Sequence, residues 1–420
     1  MFGAVARSRL LPMSVPFRYF GAAAVFQVCA WLALLASSGE WLSFGGGLGL
    51  PFAALHLVTL GVLAMTAIGA SLQLLPVATR QPVVSVAAAK LAWWLYTPGV
   101  ALLAAGAALY AVRVMASGAT LVMAGFAIYA VLLFRNLAGA RGMKVVVSYA
   151  WGALACLAAL VATGIALVAR YEHGLELDYP AVRGAHLVLA SYGFMGLLAF
   201  GLSNFLLPML ALSPPPPARV AYAVLACAAA GIALAAMGLI LPGSVLGLIA
   251  AAIHVVSLER SLRRRLRRPL GPAFVLIRVS WGCLLASLAC AAAVALGTAP
   301  EQASLLFGLL LVPGWLLTFL LGVLQRILPF LGSVHASTTA RGTPLISALT
   351  PARMLSAHGA CHLAALASLL AAALMGSAEL ARAAAALGFS AAILYAAFFA
   401  FVLFKVRHHG IEPPHQPATA

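Results

Sequence analysis

Apolar residues in this chain do not alternate with polar ones at a regular surface spacing. They run on almost unbroken, in stretches that match the roughly 20 residues a helix needs to cross a bilayer core about 30 Å thick. Twelve such stretches are read near 17–38, 50–76, 90–112, 115–135, 144–170, 182–209, 219–241, 243–258, 272–297, 303–330, 351–376 and 379–405. A run such as Ala221–Pro242 is continuous and rich in Ala and Leu, without the ten-residue alternation of a transmembrane barrel strand. Helices are expected, because in lipid every backbone polar group must bond within the chain. The expected fold class is all-α: a polytopic membrane protein of about twelve spans in three pseudo-symmetric four-helix units, with N- and C-termini cytoplasmic. The first apolar run is full length and lacks a small-residue cleavage site, so it is expected to stay as the first span.

Composition agrees, since 64% of residues are hydrophobic and 8% charged, too little polar surface to coat a soluble globule. No compositional shift marks a second domain. The expectation is one integral membrane domain over 1–410, with the Ser213–Pro217 run as a stiff loop and 411–420 as a short polar tail. The net charge of +17 invites a nucleic-acid reading until its distribution is considered. With the N-terminus inside, Arg7, Arg9, Arg18, Arg80, Lys90, Arg135, Arg141, Lys144, Arg219, Arg341, Arg353, Lys405, Arg407 and the run Arg260–Arg268 fall on the inner side. Arg113, Arg170, Arg183 and Arg382 fall outside with Glu40, Glu172, Glu176, Asp178, Glu301 and Glu379. That is the positive-inside pattern of a membrane protein, so the expected partner is the lipid bilayer and no nucleic acid, with anionic headgroups meeting 260–268. The six cysteines, Cys29, Cys156, Cys227, Cys283, Cys290 and Cys361, lie in predicted spans without paired spacing, which gives no disulfide framework.

Internal similarity is the most informative feature. Spans two, six and ten align on Pro76, Pro208 and Pro329, each preceded by Leu (Leu75, Leu207, Leu328). Each carries glycine seven residues earlier, at Gly69, Gly201 and Gly322, and fifteen residues earlier, at Gly61, Gly193 and Gly314. Glycines eight apart return to within about 80° of one another around a helix. They form a face that a neighbouring helix or a flat ligand can approach closely. The copies are offset by 132 and 121 residues and hold the same place in each group of four spans, which suggests repeat units near 17–135, 144–258 and 272–405. An even number of spans per unit gives all three one orientation, unlike the inverted repeats of many transporters.

Histidine within a membrane is costly and is a functional-site candidate by default. His56 and His186 lie 20 and 22 residues before the shared proline, at similar outer depth. Two imidazoles on facing helices can hold a heme iron axially or contribute to a copper site; alternatively each hydrogen-bonds across a helix interface. His358 and His362, in HGACH, share a face at i and i+4, a spacing that lets two nitrogens take one metal ion, in the inner half of span eleven; one of them can instead be structural. His254 reads as an interfacial anchor, and His173 and His335 as loop residues. Arg326 either snorkels to the headgroups or meets a heme propionate. Neither Arg326 nor Arg278 has an intramembrane acid to pair with, and so few buried carboxylates argue against a proton-driven pump. The chain has no phosphate loop, HExxH, serine-nucleophile motif or CxxCH, so covalent c-type heme is not expected.

These features together resemble the heme–copper oxidase and nitric oxide reductase catalytic subunits and the related NnrS-like membrane proteins. The resemblance rests on His56 followed by Gly69 and Gln73-Leu-Leu-Pro76, on Asn204-Phe-Leu-Leu-Pro208 after His186, and on Gly322-Val-Leu-Gln-Arg326-Ile-Leu-Pro329-Phe. It implies a non-covalent b-type heme with His56 as axial ligand, and His186, His358 and His362 as partners or as copper ligands. It further implies a place in the bacterial-type inner membrane, in respiratory electron transfer or the response to nitric oxide, beside a redox donor or respiratory-complex subunits. The chain departs from the family in having no histidine on spans seven and ten, and Ala190 where a tyrosine would follow His186 by four. A dinuclear oxygen-reducing centre is therefore not expected. The competing expectations are a transporter or assembly factor for heme, copper or another small solute, and a structural partner without cofactor.

Overall fold

A computed structural model describes residues 11–37, 39–267, 270–336 and 344–408. Arg7, Arg9, Arg268, Arg341, His409 and the 411–420 tail lie outside the described residues. Among those described, regular structure is helical throughout, and twelve helices are long and apolar enough to cross a membrane. They are α1 (Ser14–Ala36), α2 (Leu50–Thr79), α3 (Val86–Ala108), α4 (Val112–Ala138), α5 (Lys144–His173), α6 (Tyr179–Ala211), α7 (Ala218–Ala236), α8 (Ile240–Arg263), α9 (Pro272–Ala295), α10 (Ala303–Ala336), α11 (Ala352–Met375) and α12 (Ala378–His408). The protein is a multi-pass membrane protein.

Local chemistry sets several of the ends. Asp178 caps α6 by accepting from the Ala181 amide at 3.1 Å, and Ser85 caps α3 through the Ala88 amide at 3.1 Å, satisfying donors that a helix start leaves open. α7 stops at Ala236, earlier than its apolar run suggests, because the chain turns through Gly238 at φ 84°, a conformation that favours glycine. The three aligned prolines do not end their helices as the 76, 209 and 330 boundaries assumed. Pro76, Pro208 and Pro329 are interior, and α2, α6 and α10 run on to Thr79, Ala211 and Ala336. Proline removes one amide donor, and in a membrane bundle neighbouring helices hold such a helix together.

α2, α6 and α10 also share a feature that hydropathy does not reveal. Each contains an eight-residue π-helical stretch, Leu57–Ala64, Leu189–Gly196 and Leu310–Leu317. These recur at the same 132- and 121-residue offsets as the prolines. π turns are uncommon and concentrate at functional positions.

Packing follows the same three-part pattern. α1 lies along α2, α5 along α6 and α9 along α10, while α3–α4, α7–α8 and α11–α12 pack as hairpins. The fourth helix of each group meets the first of the next: α4 on α5, α8 on α9, and α12 back on α1. The sequence of helices closes on itself, and the π stretches of α2 and α6 both meet that of α10.

The glycine face is occupied by the first helix of its own group. A methyl group at Gly61 would come within 2.7 Å of Phe26 Cβ, and one at Gly69 within 2.6 Å of Tyr19 Cβ. At Gly193 and Gly201 the neighbours are Cys156 Cβ at 2.9 Å and Tyr149 Cβ at 2.6 Å. At Gly314 and Gly322 they are Cys283 Cβ at 3.0 Å and the Ala273 carbonyl at 2.8 Å. A helix, rather than a flat ligand, takes the space that the missing side chains leave. The same tyrosines tie the first helix of a group to its third, since Tyr19 donates to the Ala89 carbonyl and Tyr149 to the Ala221 carbonyl, each at 2.8 Å.

Candidate functional site

A mostly apolar cavity of about 830 Å³ lies between the helices, within the size range of small-molecule and cofactor sites. Leu60 and Leu63 from α2, Phe194 from α6 and Trp315 from α10 line it, so all three π stretches contribute. It extends to Gly45–Gly47 and Arg183, at the starts of α2 and α6. The opposite face is the basic one, where α4, α8 and α12 end on Arg135, Arg260, Arg263, Lys405 and Arg407.

His56 and His186 line this one cavity. The Nδ1 of His56 is 3.0 Å from the Phe52 carbonyl, and its ring stacks on Phe52 at 4.0 Å. A carbonyl only accepts, so Nδ1 carries the proton and Nε2 bears the lone pair. The Nδ1 of His186 is 3.2 Å from the Thr163 hydroxyl on α5, which donates to the Leu160 carbonyl at 2.9 Å. The hydroxyl oxygen therefore accepts from Nδ1–H, and His186 too is left with a lone pair on Nε2. Each ring is oriented through one nitrogen while the other has no partner among the described residues. This is how protein histidines are presented to a metal.

Arg183 escaped notice in the sequence except as an outer charge. It sits one turn before His186, donates to the Gly45 carbonyl at 2.7 Å and lies over the Tyr179 ring at 5.5 Å. The i, i+3 spacing from His186 was the available signal. It puts a guanidinium at the mouth of the cavity that holds the two histidines.

Arg326 is elsewhere. Its guanidinium donates to the Leu270 carbonyl just before α9, on the basic face, and it does not line the cavity. A backbone acceptor thus lies within its reach on the basic face, while its Nε has no partner among the described residues. Arg278 does have an acid partner, contrary to the sequence reading. It makes a two-pronged pair with Glu259 at 2.7 and 3.2 Å, since α8 continues past 258 and brings Glu259 beside α9. His254 is no interfacial anchor: it is 2% exposed, meets Ser203 at 2.9 Å and stacks on Phe200 at 4.0 Å. His335 lies within α10 rather than a loop, 3.3 Å from Gln73 of α2, and His173 is the last residue of α5.

His358 and His362 do not line the cavity. They form a separate cluster between α10, α11 and α12, with ring centres 6.3 Å apart. His358 Nδ1 is 2.9 Å from the Gln325 amide nitrogen, and His362 Nε2 is 2.7 Å from the Thr318 hydroxyl. The Tyr395 ring centre is 5.6 Å from that of His358. Among the described residues no group of three or more His, Cys, Asp or Glu side chains gathers as a metal site.

No family model matches the chain, and no curated protein matches it. Among solved structures it is similar to a heme–copper terminal oxidase determined as a dimer by cryo-EM, at 12% identity over 97% of this chain and 86% of that one, with a TM-score of 0.44.

Proposed function

We propose that this protein binds a non-covalent b-type heme in the cavity between α2 and α6 and serves electron transfer in a bacterial-type inner membrane, in respiration or the response to nitric oxide. The observation that carries this reading is that two imidazoles from different helices line a single apolar cavity, each held through Nδ1 and with no hydrogen-bond partner at Nε2 among the described residues. A zinc ion held by protein takes about three or four side-chain ligands, and only two histidines are offered here. A porphyrin brings its own four nitrogens, so two imidazoles and apolar walls fit it. Heme supplies the one-electron couple; the chain supplies orientation. Phe52 and Thr163 fix the two rings, the cavity wall excludes water, and Arg183 offers a cation to a carboxylate at the mouth. The absence of CxxCH fits non-covalent binding.

The test is heme content and visible absorption of protein purified from heme-replete cells. A Soret band is expected that falls strongly in His56→Ala and in His186→Ala and persists in His254→Ala. Colourless wild-type protein would sink the proposal. Because the cavity reaches the glycine loop Gly45–Gly47, a protein that hands heme on is the second reading. Heme that exchanges within seconds with apomyoglobin would favour it over a resident redox group.

A further inference from the structure

A second concave surface lies on the basic face, away from the histidine cavity. It is a groove of about 530 Å³ between α3 and α12, completed by residues of α1, which packs on both. Phe17, Phe399, Leu403 and Trp94 give it apolar walls, with the Phe17 and Phe399 rings 6.1 Å apart. α1 and α3 start here and α12 ends here, so the groove opens at the inner membrane interface rather than at mid-membrane. Trp94 is 63% exposed, and tryptophan near a helix end sits at the level of the lipid headgroups.

Arg18 and Arg407 stand at its rim. Arg18 is braced: its Nε donates to the Ser14 carbonyl at 2.9 Å, and its guanidinium carbon lies 5.2 Å from the centre of the Trp93 ring. Trp93 Nε1 in turn donates to the Arg18 carbonyl at 3.2 Å. Neither arginine has an acid partner among the described residues. Lys90, one turn before Trp94, adds a further positive charge. The chain has eight Asp and Glu residues. Glu40, Glu172, Glu176, Asp178, Glu301 and Glu379 lie toward the opposite face, and Glu259 is engaged by Arg278. Glu412 lies outside the described residues. Any counter-charge for the two arginines thus comes from outside the described chain.

Shape and charge together narrow the occupant. Guanidinium forks match the oxygens of a phosphate group, and an apolar wall beneath them matches an acyl chain. Free phosphate would leave that wall unused. A zwitterionic headgroup would bring its own cation beside two arginines, a like-charge contact, so a net negative headgroup is preferred. We propose that the groove between α1, α3 and α12 binds one anionic phospholipid of the inner leaflet. Its phosphate meets Arg18 and Arg407 and a chain lies along Trp94 and Phe399, apart from the Arg260–Arg268 run.

The test reads tryptophan fluorescence of the full-length protein in vesicles of phosphatidylcholine and phosphatidylglycerol, with quenching bromine on the chains of one lipid or the other. Phosphatidylglycerol is expected to be favoured at least ~5-fold at the groove, about the worth of one arginine at a membrane surface. The preference should fall to parity in the double variant Arg18→Gln/Arg407→Gln, and the excess quenching should drop in Trp94→Phe. Arg407→Gln alone changes an exposed helix end, so it keeps the test open if the double variant does not fold, and should lower the preference about 2-fold or more. Arg260→Gln and Glu412→Gln should leave it unchanged. Equal quenching by both lipids, a preference retained in the double variant, or excess quenching unchanged in Trp94→Phe would each overturn the proposal. So would a preference lost in Arg260→Gln, which would mark the general field of the face. A preference seen only in Glu412→Gln would put the chain's own tail in the groove and overturn it too. Neither arginine lines the histidine cavity, so the result stands apart from whether heme binds there.

Discussion

The Thr163 hydroxyl stands 3.2 Å from His186 Nδ1 while donating its own proton to the Leu160 carbonyl. That relationship, made across α5 and α6, decides which nitrogen of His186 carries the proton and which keeps its lone pair. Thr163→Val keeps the volume and removes the acceptor. Heme affinity is expected to fall about 10- to 100-fold, the usual cost of losing a metal ligand's outer partner, while Thr163→Ser restores it. Equal affinity of the valine variant and wild type, measured by hemin titration, would remove Thr163 from the site.

Arg183 is expected to recognise carboxylate rather than the macrocycle. Arg183→Gln should weaken heme by a few-fold, in line with the roughly 0.2–1 kcal/mol of an exposed ion pair. The dimethyl ester of heme, which has no carboxylate, should bind wild type and variant alike. A variant that loses both equally would place Arg183 outside recognition.

The glycine contacts set a steric limit. Gly69→Leu and Gly201→Leu would drive side chains into Tyr19 and Tyr149 and are expected to destabilise by about 1–3 kcal/mol through overpacking. Gly282, which has nothing within 4 Å of an added methyl, should tolerate alanine. Thermal unfolding in one detergent compares the three, and a stable Gly69→Leu would refute the packing account.

Tyr19 and Tyr149 make the same bond in two groups of helices, each to a carbonyl on the third helix of its group. Their phenylalanine variants should therefore cost similar amounts, about 0.6 kcal/mol on average for a hydrogen bond between membrane helices and at most ~1.7. Chemical denaturation of the two single variants measures this. A difference of several-fold would mean that the two positions are not equivalent in energy.

The spans could be read from the chain because lipid imposes one rule on every residue: apolar outside, backbone bonded within. The signature helices showed their glycines and prolines, yet the sequence misplaced their ends, since a proline looks like a terminus until neighbouring helices are seen to carry the helix through. The π stretches left no distinct trace, because π and α winding demand the same apolar residues.

Residue partners were the least legible. Arg278 and Glu259 lie on different helices and their pairing depends on how α8 extends beside α9. His254 looked interfacial because charge follows it in the chain, whereas its environment is Ser203 and Phe200 on α6. Arg183 looked like a surface charge until the structure set it on the wall of the cavity that His56 and His186 line.

The sequence by itself determined the class of solvent, the number of spans, the repeated glycine–proline pattern and the small set of histidines able to do chemistry. Each follows from composition and spacing along one chain. Tertiary structure alone decided that His56 and His186 open into one cavity while His358 and His362 belong to another place, and which nitrogen of each ring is bare. His56 is held by the Phe52 carbonyl of its own helix, but for His186, His358 and His362 the partners are side chains of other helices, tens of residues away, that packing brings within hydrogen-bonding distance.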